Sequence, residues 1–450
     1  MKRYKRQLII FLVCVSTFFN INTSLFAGDV IPAQNDFFVI KKYEERLSIV
    51  EKQIPLIVSA AEAVAKRWVE NKQVLLHYPF GGDTSNFTME FIARAGGLDN
   101  AQPSTLRIKL RSSNDVFVCS ARSWEKGGLF LSKELEKSKQ SGWLNIVFAS
   151  KNGMPEGLPV DFLIDNGATT GNENEAAVNN IVNITNGWIF TCELVSALTR
   201  MSVRPGILKG MPLPGSIEHN EIYQHTNGLP VLYPCKTRID AGILAKQYLK
   251  SVRSTIKILL SEKNIAQIEK ASDIAVWKLA RGHTVWVSSF THVLDGEVFC
   301  NNKSPIKAFR GISCGPNGET FRKNLKEHDL LFWFGEWTVN LPWLDYLKII
   351  RDTGADYIAS YRQGNEKQQY YKEGNSIFYD TKMDDALMII NQYWDFENAC
   401  VRIPFPPYKM APISGVYVCL LYRMLDEEIA KKLLLVPSVT TKREMQLCTK

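Results

Sequence analysis

Ile57–Glu70 reads IVSAAEAVAKRWVE and Gln73–Tyr78 reads QVLLHY; about 210 residues later Ile268–Arg281 reads IEKASDIAVWKLAR and Thr284–Ser288 reads TVWVS. In both places the apolar residues of the longer segment recur three and four apart, which predicts an amphipathic helix, and the shorter segment predicts an apolar strand. The correspondence continues outward. Each strand runs into turn-rich sequence and a new helix carrying an acid, Glu90 in TSNFTMEFIARAGG and Glu297 in THVLDGEVF. Asp115–Cys119 (DVFVC) and Asp329–Phe334 (DLLFWF) read as buried strands, each ending in a polar loop, SARSWEKGG or GEWTVNLP. Trp143–Ala149 and Ala355–Ala359 read as the next strands, then Val160–Asp165 and Ser376–Asp380. Both copies close on a helix, Gly187–Met201 and Pro412–Met424. One unit in one order, twice, is an internal repeat.

Strands that are Val/Ile/Leu-rich throughout and alternate with helices predict parallel sheets covered on both faces. The fold class is therefore α/β, two doubly wound, flavodoxin-type domains in tandem. The reading divides the chain into a signal peptide (1–27), a first domain (28–202), a Gly/Pro-rich linker (203–240), a second domain (241–435) and a tail (436–450). In doubly wound sheets ligands bind beyond the carboxyl ends of the strands, where polar loops meet helix N-termini. That places candidate site loops at 79–86, 119–127, 288–292 and 334–340.

The 450 residues are 45% hydrophobic and 22% charged, an ordinary globular composition that excludes a disordered chain, collagen and a miniature disulfide scaffold. The formal charge is +8, but Lys2, Arg3, Lys5 and Arg6 crowd the start; without residues 1–27 the balance is 50 against 46, or +4. So small a surplus calls for no nucleic-acid partner. Those four cations precede the apolar run Leu8–Phe19, a polar stretch and Ala27, the layout of a secretory signal peptide. The expectation is an exported, periplasmic or extracytoplasmic protein, with an uncleaved N-terminal anchor as the alternative. No other segment is read as transmembrane. Of the cysteines beyond residue 27, Cys119, Cys192 and Cys419 lie in apolar runs, while Cys235, Cys300 and Cys314 lie in loop-like sequence where an oxidising compartment could pair some of them. No Cys or His cluster has metal-ligand spacing, and neither a metal nor a cofactor is expected.

The order of helix, strand, Gly/Ser/Thr loop and a helix ending in E-F-I-A-R-A-G-G (Glu90–Gly97) resembles the sugar isomerase (SIS) domain of phosphosugar-binding proteins. The nearest likeness is to members reading G-H-S-x-x-x-x-E-x-x-x-R-A-G-G, matched here by Asp83, Thr84, Ser85, Glu90 and Arg94–Gly97. His292 and Glu297 hold the corresponding places in the second copy. The resemblance covers most of 45–201 and 245–430. It implies a phosphate held by the loops after the first and second strands. The second loop departs from the family's S-x-S-G-x-T: the first copy offers Ser120, Arg122, Ser123 and Glu125, and the second only Gly335, Glu336 and Thr338. The second copy thus reads as a degenerate partner that packs against the first or covers its site.

Gly81, Gly82, Asp83, Thr84 and Ser85 are the candidate anion cradle, because glycines let backbone N–H groups approach a ligand. The bland alternative is a strand-to-helix turn with Thr84 or Ser85 as its cap. Ser120, Arg122 and Ser123, with Thr338 of the second copy, complete the candidate ligand set; the planar fork of an arginine suits a phosphate. Aldose–ketose chemistry needs a proton-moving pair, for which Glu90, Glu125, His292 and Glu297 are the candidates. Trp124, Trp337 and Trp343 flank these loops, where a ring could stack on a sugar or simply pack. The reading is of an exported protein that binds a phosphorylated or anionic sugar derivative as a small-molecule partner, with a homodimer expected from the family resemblance. The alternatives are a sugar-phosphate isomerase or related lyase using Glu/His acid–base chemistry, and a non-catalytic structural or interaction protein that kept the fold.

Overall fold

The computed structural model describes residues 36–81, 84–104, 112–169, 175–210, 213–224, 231–294, 298, 309–312, 318–336, 346–363, 385–395 and 397–435. The first copy opens with two helices, α1 (Phe38–Lys52) and α2 (Ile54–Asn71). Then come β1 (Leu76–Tyr78), α3 (Ser85–Phe91), β2 (Ala101–Pro103), β3 (Val116–Ser120), α4 (Trp124–Gln140), β4 (Leu144–Ala149), β5 (Phe162–Asp165) and α5 (Ala176–Arg200). The second copy opens with α7 (Ile243–Leu259) and α8 (Glu262–Ala280). It continues through β8 (Val285–Phe290), β9 (Phe309–Gly311), α9 (Glu319–Asn324), β10 (Leu330–Gly335), α10 (Tyr346–Asp352), β11 (Asp356–Tyr361), β12 (Met388–Asn391) and α11 (Ser414–Leu434).

The strand orders are β2-β1-β3-β4-β5 and β9-β8-β10-β11-β12, the same winding twice, with every pair parallel. This is the doubly wound flavodoxin-like order, and two such α/β units stand in tandem. Alternate strand residues face opposite layers. Val116, Val118, Ile146 and Phe148 join Leu330, Phe332, Phe334 and Ile358 in one central core shared by both copies. Phe117, Cys119 and Val147 instead meet Leu131 and Leu135 of α4 on the outer face of the first sheet. Leu331, Trp333 and Tyr357 meet Phe321 and Ile350 of α9 and α10 outside the second. The strands read as continuously apolar because both faces are buried.

The duplication extends to single polar groups. Asp115, just before β3, accepts the Leu75 N–H at 3.1 Å and faces His77 Nε2 at 2.8 Å. Asp329, just before β10, accepts the Thr284 N–H and the Trp286 Nε1–H, both at 2.9 Å. Each aspartate ties the foot of its central strand to the strand beside it.

Between the sheets the helices of the two copies interlock. Glu193 of α5 accepts the N–H groups of Gly242 and Ala245 at 2.9 and 3.0 Å, at the free N-terminus of α7. Glu427 of α11 accepts the N–H of Val39 at 3.0 Å, at the free N-terminus of α1. The closing helix of each copy thus supplies the N-terminal carboxylate that the opening helix of the other lacks in its own sequence. Burial raises both acids, and Glu427 is pushed up to about 7. Tyr43 and Tyr248 repeat the symmetry as buried rings bonded to Thr185 and to the Pro412 carbonyl.

Two expectations change and two gain detail. The fifth strand of the second copy is Met388–Asn391, and Ser376–Asp380 lies outside the described residues. The closing helix of the first copy starts eleven residues before Gly187, and α5 is long and apolar enough to cross a membrane, yet it is wholly interior. A helix apolar all round belongs to a core as readily as to a bilayer. Part of the linker forms structure, β6 (Val203–Arg204), α6 (Ser216–Gln224) and β7 (Tyr233–Pro234), and it runs along the R-A-G-G turn through Gly96 N–H to Leu208 O and Leu208 N–H to Gly97 O. Cys235 is a free thiol, as are Cys119, Cys192, Cys400 and Cys419; Cys300 and Cys314 lie outside the described residues. An antiparallel hairpin, β13 (Ala399–Arg402) and β14 (Lys409–Pro412), precedes α11 and docks on the same turn, Ala411 N–H donating to Gly96 O at 2.9 Å.

Candidate functional site

In the first sheet the winding reverses between β1 and β3, so their carboxyl ends open the crevice where this fold places ligands. Ser120 ends β3 there. It is fully buried, and its Oγ has no hydrogen-bond partner among the described residues. Arg122 and Ser123 are buried beside it, ahead of α4, whose 17 residues aim a positive end at the loop. The loop is held from below by asparagines of α5. Asn183 Nδ2 donates to Ala121 O at 3.0 Å and Asn179 Nδ2 to Arg122 O at 2.7 Å. Arg46 in turn donates to Asn179 Oδ1 at 2.8 Å and to Asn166 O at 3.1 Å, and pairs with Glu175.

The loop after β1 uses its hydroxyls on itself. Thr84 Oγ1 lies 2.7 Å from Gly81 O and 3.1 Å from Pro79 O, and Thr88 Oγ1 donates to Pro79 O at 2.5 Å. Thr84 therefore shapes the turn; it stands at the N-cap of α3, but its hydroxyl makes no capping bond. Gly81 holds φ at +151°, a conformation that residues with side chains rarely adopt, and a Cβ there would sit 2.7 Å from the tip of the Phe130 ring. Ser85 opens α3 half-buried. Trp124 is core: its Nε1 donates to Ser150 O at 2.7 Å, and the ring joins the outer cluster. Gly82, Asp83, Glu297 and Thr338 lie outside the described residues, as do Trp337, Trp343 and the side chain of Glu125.

Two of the expected acid–base groups, Glu90 and His292, lie where the copies touch rather than in the loop after β3. Glu90 is fully buried where the copies touch: Trp188 Nε1 donates to its Oε1 at 2.9 Å, Arg94 Nε stands 3.5 Å from Oε2, and Gly415 of α11 lies so close that a Cβ there would fall 2.6 Å from Oε1. Arg94 reaches across to Glu336 at 2.5 Å and Ser414 Oγ at 2.6 Å; Asn398 Nδ2 also donates to that hydroxyl, at 2.8 Å. Glu336 follows β10, and His292 follows β8. Those are the two loops of the second copy's own switch point. His292 is partly buried, with its Nδ1 shut off from solvent, and its ring is bonded to the backbone of Met89 in α3. Arg94 and α3 of the first copy thus occupy the place where a ligand of the second would bind.

This setting shifts both titrations. Burial pushes Glu90 up to about 7 against the pull of Arg94 and the Trp188 bond. Burial, and then the Arg94 cation, hold His292 well below the usual imidazole range, so it is neutral. Glu90 and His292, two of the four acid–base candidates, thus belong to a polar joint between the copies. Among the described residues no group of three or more His, Cys, Asp or Glu could hold a metal ion.

The sequence reading passed over the asparagines at 179 and 183, although a polar residue every three to four positions in an apolar helix (AAVNNIVNITNGW) is a visible signal.

No protein-family profile and no curated protein sequence matches the chain. Solved structures similar to it include the C-terminal domain of glucosamine-fructose-6-phosphate aminotransferase from Francisella tularensis, at 10% identity and TM-score 0.43, covering 89% of this chain and 97% of that one. Another is tagatose-6-phosphate ketose/aldose isomerase from Escherichia coli, at 9% identity and TM-score 0.42, covering 89% and 94%. The likenesses span both copies, and the fold itself is defined by the duplicated strand order.

Proposed function

We propose that the chain is an exported binding protein for a phosphorylated or otherwise anionic sugar derivative, taken up at the switch point of the first copy. The observation that carries this reading is the Ser120 hydroxyl, buried without a partner among the described residues at the carboxyl end of β3. A buried polar group left unsatisfied costs free energy that a ligand oxygen there would recover. The Arg122 loop and the N-terminus of α4 add positive character suited to an anion. The sugar-phosphate names of the similar solved proteins agree with this chemistry. Export rests on the N-terminal cation and apolar pattern alone.

Binding is favoured over isomerisation because Glu90, one of the groups suited to proton transfer, is fully buried at the joint between the copies. The test is a thermal-shift screen of hexose, hexosamine and heptose phosphates beside their unphosphorylated parents, since a ligand of the native state raises the melting temperature. Stabilisation by phosphates only, lost in Ser120→Ala, is the expected result. A flat screen, or a shift that survives Ser120→Ala unchanged, overturns the assignment of this site.

A further inference from the structure

From Ala241 to Ser261 the chain carries no acid, and its cations fall on one side of α7: Lys246, Lys250, Arg253 and Lys257, spaced four, three and four apart. All four are exposed. With Ser254 and with Glu51 from α1 they line a groove of about 410 Å³ between the opening helices of the two copies. Glu51 pairs with Arg253 at 2.6 Å and is the only acid in the lining. The ammonium groups of Lys250 and Lys257 take part in no hydrogen bond or ion pair among the described residues. Arg402 of β13 is exposed on the flank, where its N–H donates to Gln247 at 3.2 Å.

The concentration is what separates this face from ordinary solvated surface. Beyond residue 27 the whole chain has a surplus of only +4, while this one groove holds four cations against one carboxylate. At a rise of about 1.5 Å per residue, Lys246 and Lys257 stand roughly 16 Å apart along the helix, with the others between. One phosphate would meet two of them; a ligand with several phosphates spaced along its length would meet all four.

We propose that this groove docks a ligand bearing several phosphate groups, separate from the switch point of the first copy and independent of the reading given for it. Lysine ammonium groups and the Arg253 fork supply the charge-assisted donors, and Ser254 supplies a neutral one. Such phosphates come either on a soluble molecule or as the headgroups of an anionic lipid surface.

The full chain is titrated with tripolyphosphate by calorimetry and sedimented with phosphatidylglycerol–phosphatidylcholine vesicles, phosphatidylcholine vesicles alone serving to subtract uptake through the apolar run at 8–19. Binding of tripolyphosphate identifies the soluble source, and charge-dependent vesicle binding identifies headgroups; either supports the proposal. The triple variant K246E/K250E/K257E is expected to weaken binding on the order of a hundredfold, K250E alone about fivefold, while K246R/K250R/K257R retains it. The altered side chains are exposed, so the melting temperature of each variant is expected to stay near that of the parent. Wild-type chain that binds neither probe, or glutamate variants that bind as tightly as the parent, overturns the proposal.

Discussion

Ser120 and Glu90 carry opposite consequences from the same fact of burial. Replacing Ser120 by Ala removes a hydroxyl that has no partner among the described residues, so the ligand-free protein should keep its stability or gain up to about 1 kcal/mol while ligand affinity falls. Chemical denaturation with and without ligand checks both halves of that statement. For Glu90 the folded pKa is raised to about 7 from the ordinary glutamate value. A proton held more tightly in the folded state means stability is fully present below the ordinary value and is lost as pH rises through about 7. The loss from this one group is on the order of 2–3 kcal/mol, and Glu427, raised to about 7 by burial, adds in the same direction. Urea midpoints at about pH 5 and about pH 8 should therefore differ, and Glu90→Gln should flatten the slope. An unchanged slope in that variant would reject the assignment. At this scale the sequence showed which residue types sat in each loop. The pair with Arg94, four residues on, was open to the sequence, but nothing in it showed that Glu90 would face Gly415, which lies in the other copy more than 300 residues away.

Among the elements, those buried on both faces were the easiest to read. The strands β3, β4, β10 and β11 appeared within a residue or two of their places, because a short unbroken apolar run bounded by polar loops fits little except a strand covered on both sides. The short strand MIIN at 388–391 is half-buried, and the reading settled on the first apolar run after β11, SIFYD, and passed over ALMII at 386–390. The helix α1 was missed because FVIKKYEERLSIVEK is dominated by charge, and its apolar stripe is satisfied only by helices from both copies. The reciprocal caps belong to this scale as well. Glu193→Ala and Glu427→Ala should each cost about 1–2 kcal/mol, and hydrogen exchange should rise first at the N-terminal amides of α7 in one variant and of α1 in the other. Exchange that rises in the helix bearing the substitution instead would show that the acids serve their own helix.

For the whole molecule, one core shared between two sheets means that neither copy has a finished interior by itself. A chain cut at 225–230 and expressed as two pieces should yield halves that co-purify, and either piece alone should aggregate through its exposed helical face. Two soluble, well-folded, non-associating halves would contradict the shared core. The repeated winding was legible from the sequence. That Arg94 of one copy would fill the switch point of the other was not, since no local pattern encodes which crevice a side chain enters.

The crossed caps also bear on the order in which the chain is made. When the first copy has left the ribosome, the N-terminal amides of α1 have no carboxylate to meet, because Glu427 is synthesised almost four hundred residues later. The newborn half must wait with a frayed opening helix and an uncovered apolar face until the last helix emerges. Synthesis from the N-terminus thus ends with its keystone, and truncation anywhere before α11 removes the element that completes the first copy.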